Sequence, residues 1–237
     1  MNEHMTETSA YYEEQYREPI GTYTAKTFGW MFLGLLFTFL VAFTGYYTQA
    51  VFYLFAVPYL PFILLAAELF VVIFLSSRIT KMSVGMARGM FFLYAAINGI
   101  VFSAYFLMYE MTSLLLVFGY TSLYFGAMAL VGYFTKADLS KTRYILISGA
   151  IFLTLFWVLS IFIPLEAFER IMCFIGIGIF LGFTAYDTQK IRRYHQAFGA
   201  DPEMAAKASI FSALQLYLDF INLFVYILRL AGRRRSN

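Results

Sequence analysis

The chain has 237 residues, of which 61% are hydrophobic, 21% aromatic and only 13% charged, with a formal net charge of +3. Soluble domains carry roughly a quarter charged residues, so a single water-facing globule is excluded and lipid must solvate most of this chain. No pattern of interleaved basic and aromatic residues points to nucleic acid.

Residues 1–26 open with "MNEHMTETSAYYEEQYREP", polar and leaning acidic. A cleaved signal needs a basic start followed directly by an apolar core. This stretch is therefore expected to be a soluble, partly disordered N-terminal tail. Residues 27–230 read as the membrane domain, and residues 231–237 as a basic C-terminal tail.

A crossing helix needs about 20 mostly apolar residues. Residues 27–67 hold no charge and are too long for one span; "TGYYTQA", Pro58 and Pro61 supply a break. Spans one and two are predicted over 27–47 and 52–77, and span three over 89–109. Span four follows at 111–135 and span five at 144–165. Span six begins at Ile171 and runs to about Gln189; span seven runs from about Lys207 to Leu230. These runs are continuous rather than alternating, which excludes β-barrel strands. Backbone groups in lipid must be satisfied within each segment, which leaves helices. The predicted fold is an all-α membrane protein, a bundle of seven transmembrane helices with the last one central.

Basic residues set the orientation. Arg78, Lys81 and Arg88 flank the second loop, Lys136, Lys141 and Arg143 the fourth, and Lys190, Arg192, Arg193 and Lys207 the sixth. The odd loops carry only Arg170. Positive loops stay inside, so the N-terminus is predicted to be cytoplasmic and the C-terminus to lie outside. The basic "RLAGRRRSN" ending conflicts with that. Either the short tail crosses despite its charge, or the last segment dips in and returns; the seven-span reading is preferred.

Charges within a bilayer are costly and are functional candidates by default. Glu68, Asp187 and Asp219 qualify among the acids, and Arg78 lies at the end of span two. In the last span Ser212, Gln215, Asp219, Asn222 and Tyr226 follow a 3, 4, 3, 4 spacing and share one face. That stripe cannot face lipid, so the helix is expected inside the bundle; a purely structural hydrogen-bond stripe is the simpler alternative. Gly178 and Gly182 form a small-xxx-small pair, most simply a packing feature. Asp187, Asp219 and Arg78 are predicted to converge near the cytoplasmic mouth. Two adjacent carboxylates cannot both ionise cheaply and would share a proton, which makes a pH switch without histidine. Glu68, Gln215 and Asn222 would line an ion path. Glu68 lies ten residues before Arg78, about 15 Å along the same helix, so the two are not paired directly. His4, His195 and the lone Cys173 are expected to have no special role.

"GFTAYDTQKI" followed by "LQLYLDFINLFVYILRL" closely resembles the Bax inhibitor-1 family, as does "FLSSRITKMSVGMARGMFFLYAAINGIVFSAYFLMY". The resemblance covers about residues 20–232. The polar tail and short loops look like bacterial members of the YccA/YetJ-like type, and so imply the bacterial inner membrane. The family fold is a seven-helix bundle whose last helix is enclosed by the other six. The resemblance implies a pH-sensitive calcium leak channel. In it Asp187 and Asp219 match a di-aspartyl unit, Arg78 matches a latch arginine, and Glu68 matches an acid of the second span. Some bacterial relatives instead bind a membrane protease, so a membrane-embedded regulator acting through the acidic tail is the alternative. No cofactor is expected, and no firm metal site: at most a weak calcium contact at Asp187 and Asp219, since calcium prefers oxygen ligands. A proton-coupled transporter is disfavoured, because neither inverted repeats nor paired broken helices are visible. The chain is not expected to be an enzyme. Intramembrane aspartyl proteases have a glycine beside the catalytic acid, which "YDTQ" and "YLDF" lack.

Overall fold

The computed structural model describes residues 18–235; residues 1–17 of the expected tail lie outside the described residues. Seven long helices follow in order: α1 Ile20–Tyr47, α2 Leu60–Arg78, α3 Val84–Met108, α4 Met111–Phe134, α5 Arg143–Leu159, α6 Glu166–Phe198 and α7 Pro202–Ala231. Among the described residues, β-type pairing is confined to one isolated bridge, Tyr109 with Arg234. The chain is a membrane-embedded, multi-pass helical protein. Six of its helical segments are long and apolar enough to cross a bilayer. The remaining long helix, α2, has 19 residues, about 28 Å at the α-helical rise.

Two boundaries differ from the sequence expectation for clear reasons. Helix α1 starts at Ile20 rather than at residue 27. Its polar first turns are buried by protein, not by lipid: Tyr23, Thr24 and Thr27 are all buried. Thr27 Oγ1 donates to Tyr23 O at 3.0 Å and lies 2.9 Å from Ser209 Oγ on α7. Span two does not run unbroken from residue 52. Ala50–Phe52 and Tyr53–Ala56 form short separate turns, and α2 begins only at Leu60. Pro58 has no N–H to continue a helix, and Tyr59 takes a left-handed conformation with φ 63°.

Helix α7 is the axis of the bundle. Of its most apolar stretch 72% is buried, against 28% for α1 and 11% for Leu139–Leu159. Helices α1, α3, α4 and α6 pack on it directly. Helix α2 packs chiefly on α3, and α5 chiefly on α6, so these two stand at the periphery. The central helix is thus enclosed mainly by four neighbours rather than by six.

The connections sort to two ends. At the near end, His195 Nε2 of α6 lies 2.6 Å from Glu18 O, just before α1. Lys207, expected from the sequence as a loop charge, is buried here. Its ammonium donates to Thr80 O, Met82 O and Glu203 Oε1, holding the start of α7 to the α2–α3 turn. At the far end, the C-terminal segment is fixed across the α3–α4 turn. Glu110 N–H donates to Arg233 O at 3.1 Å, and Arg235 N–H to Met108 O at 2.9 Å. Arg233 N–H donates to Ser113 Oγ at 2.8 Å. The chain therefore enters α1 at one end and leaves α7 at the other.

Candidate functional site

The α6–α7 connection is short and locally encoded. Gly199 N–H donates to His195 O as α6 ends. Asp201 then caps α7, its Oδ1 accepting from Glu203 and Met204 N–H at 2.9 and 3.1 Å, and Pro202 starts the first turn. Asp is a favoured N-cap and Pro a favoured first helical residue. So short a turn makes α6 and α7 antiparallel neighbours.

Glycines let the backbones close in. A Cβ on Gly132 of α4 would collide with the Ala185 carbonyl oxygen of α6, and would lie 2.8 Å from Ala185 Cα. A Cβ on Gly176 of α6 would lie 2.7 Å from the Tyr226 ring of α7. Of the glycine pair singled out in the sequence, Gly178 faces open space and Gly182 meets only the Leu146 side chain of α5. The close approach to α7 is therefore made at Gly176.

Asp187 and Asp219 are both buried, 6% and 4% exposed, across the α6–α7 interface. They lie close enough for Asp187 to act electrostatically on Asp219. Asp187 Oδ1 and Asp219 Oδ2 have no hydrogen-bond partner among the described residues. Buried carboxylate oxygens left this way are costly and mark a site with unused ligand capacity.

The cation beside this pair is Lys190. Its Nζ lies 3.8 Å from Asp187 Oδ1 and donates to Gln215 Oε1 at 3.1 Å. Gln215 is one turn before Asp219 on α7, so Lys190 bridges the two helices. Tyr186, Tyr194 and Phe211 place their rings 5.2 to 5.8 Å from the ammonium, a distance at which aromatic faces favour a cation. Arg143, at the start of α5, also acts on Asp187 electrostatically, and Asp187 in turn acts on Tyr194. The sequence carried a signal for Lys190 that was not used: an acid and a base at i, i+3 in "YDTQK".

Arg78 is not at this site. It is exposed at the end of α2 and makes no ion pair among the described residues. The reason is packing: α2 lies chiefly against α3, at the periphery of the bundle. Nor is Glu68 brought to the aspartates. Its buried Oε1 has no partner, and it acts on Tyr94 and Tyr217. Tyr217 is two residues from Asp219, which puts it about 200° around α7, on the opposite face. There its hydroxyl lies 2.7 Å from Thr38 Oγ1. Asn222 bonds back to Leu218 O of its own helix at 2.8 Å. Tyr226, the last residue of the stripe, accepts from Trp157 Nε1 at 3.0 Å. Among the described residues no group of three or more His, Cys, Asp or Glu side chains is placed to hold a metal ion.

Gln189 of "YDTQ" holds the α4–α5 connector rather than the aspartates. Its Nε2 donates to Ala137 O at 2.7 Å, and its Oε1 accepts from Leu139 N–H at 3.0 Å. Arg193 pairs with Asp138 in the same connector. The Ser140 backbone N–H, its hydroxyl and Arg193 hold the Asp138 carboxyl below its ordinary range. A depressed carboxyl adds stability above its unfolded value, near pH 4, and loses it as pH falls through the folded value. Protection of residues 137–142 against hydrogen exchange, taken relative to their intrinsic exchange at each pH, should therefore fall on acidification below about pH 4, and Asp138→Asn should flatten that response.

The comparisons with known proteins agree in kind. A family model described as inhibitor of apoptosis-promoting Bax1 matches residues 21–236. The inner membrane protein YbhL of Escherichia coli (strain K12) is 40% identical over 223 residues, covering 93% of this chain and 95% of that protein. An uncharacterized protein of Borreliella burgdorferi is 33% identical over 218 residues, 91% and 93% of the two chains. Uncharacterized protein RP147 of Rickettsia prowazekii is 33% identical over 231 residues, 98% of each chain.

Proposed function

We infer that this chain, which belongs to the Bax inhibitor-1 family, is a seven-span cation leak pathway of the bacterial inner membrane, gated by protonation of Asp187 and Asp219. Calcium is the permeant ion proposed, and the N-terminus is placed in the cytoplasm. The reading carries no catalytic step and no cofactor.

The observation that carries it is the buried aspartate pair with unpartnered oxygens, facing one ammonium across two helices. With one proton shared by the pair and the remaining charge on Asp187, Lys190 is held by Asp187 on its own helix and by Gln215 on α7, and the interface is closed. A second proton removes that charge and loosens the clamp. A cation then meets carboxylate and amide oxygens that bind weakly, as a leak requires. The seven-span count is supported by parity: α1 begins and α7 ends at opposite ends of the bundle. That fits an odd number of crossings, with α2 as the seventh.

Lys190→Met tests the clamp. Removing a charge-assisted contact of roughly 1.5–3 kcal/mol shifts a closed–open balance by roughly ten- to a hundredfold. Calcium flux into proteoliposomes at neutral pH should rise toward the level the native chain shows in acid. A variant whose flux and pH response match the native chain would show that Lys190 is no part of the gate.

A further inference from the structure

We propose that the far end of the bundle binds an anionic phospholipid, with the phosphate on Arg233, Arg234 and Arg235 and one acyl chain in the apolar groove between α1 and α4. This does not rest on the leak reading. The groove has a volume of about 300 Å³ and is floored by α3 and α7. Leu36 and Phe39 of α1 and Leu115 and Phe118 of α4 form its open sides and are exposed on the lipid-facing surface. On α1 its lining runs from Phe32 to Ala42, about 15 Å of helix, enough for most of an acyl chain.

The arginines sit at the groove's far lip through a continuous set of contacts. Phe106 lines the groove, and the Tyr46 ring stacks on it at 5.8 Å. The Tyr46 hydroxyl accepts from the Arg235 guanidinium at 3.0 Å. The Arg233 backbone is fixed to Ser113, within the first turn of α4, whose Met111 and Leu114 also line the groove. All three arginines are exposed. Among the described residues none forms an ion pair, neither with Glu110 in the adjacent turn nor with Glu169, which pairs with Arg229.

Three uncompensated cations at this end run against the usual bias of basic residues toward the other side of the membrane. A lipid phosphate supplies the missing counter-charge, and the planar guanidinium suits it. The groove holds the chain of the same molecule, which distinguishes a bound lipid from diffuse surface attraction.

The test is native mass spectrometry of the full chain in mild detergent, with phosphatidylglycerol and phosphatidylcholine of matched chains. The native protein should retain phosphatidylglycerol about tenfold more, the order expected when several basic side chains meet a lipid phosphate. Arg233→Gln, Arg234→Gln and Arg235→Gln together should abolish that preference. Leu115→Trp should fill the groove and release the lipid; Leu36→Trp does the same from α1 should the first variant fold poorly. Equal retention of the two lipids by the native chain would overturn the proposal. So would a tryptophan variant that holds phosphatidylglycerol as the native chain does, since the groove would then be irrelevant. A bound second copy of the chain in place of lipid would overturn it as well.

Discussion

Calcium flux through proteoliposomes carrying Asp187→Asn and Asp219→Asn together should be high and flat from about pH 6 to about pH 8, where the native chain responds to pH. Asparagine keeps the shape of a protonated carboxyl and cannot ionise. Both residues are buried, so no surface group stands in for the lost charge. Without carboxylate charge Lys190 keeps Gln215 and the aromatic rings but no anion, and the α6–α7 clamp is permanently loosened. The response lost should match the Lys190→Met shift, because the two changes remove opposite halves of one contact. Effects that act through one unit are not additive, so the triple variant should look like the double. Flux that disappears in the double variant, rather than staying high, would mean the carboxylates conduct and do not gate. A native chain that passes no calcium above empty liposomes would end the leak reading. It would leave a regulator acting through the N-terminal tail, residues 1–26, which binding to a membrane protease before and after deletion of residues 1–25 would test.

Gly132→Ala should cost about 1–3 kcal/mol or more in unfolding stability, the range of overpacked interiors, and should also disturb the pH response. The added methyl collides with the Ala185 carbonyl oxygen. A flexible side chain could turn aside, but a helix backbone cannot, so α6 must move as a body. Ala185 is two residues before Asp187, and Tyr186 between them lies against the Lys190 ammonium. The displacement thus reaches the clamp without altering any charged group. Thermal unfolding of the purified variant reads the first effect and the liposome pH profile the second. Gly178→Ala, with nothing within 4 Å of the new methyl, is the matched control and should leave both unchanged.

Much of this was legible in the chain. The 3, 4, 3, 4 spacing from Ser212 to Tyr226 put one polar face on the last helix, and that face meets Lys190, Asp187 and Trp157. Continuous apolar runs located every long helix, because lipid leaves no other use for them. What failed was lateral order. A run of apolar residues says that α2 exists but not which helices it touches. Arg78 could therefore be assigned to a site that α2 never reaches, while Lys190 was counted only as a loop charge. Glu68 was expected apart from the aspartates, and it lies toward the other face of α7, where it acts on Tyr217. The early start of α1 was hidden because its threonines and Lys26 read as aqueous. Protein buries Thr24 and Thr27, and Glu18 pairs with Lys26 at 2.6 Å.

The burial of α7 has a consequence for how the protein is made. A segment that carries Ser212, Gln215, Asp219 and Asn222 on one side partitions poorly into hydrocarbon by itself. It is also the last to be synthesised. The six earlier helices must wait in the membrane as an open shell around an absent centre, with Gly176 and the Phe91 ring facing a gap that only α7 fills. Assembly is therefore completed by α7. A ribosome that stops before residue 202 leaves not a shortened protein but an unfinished one.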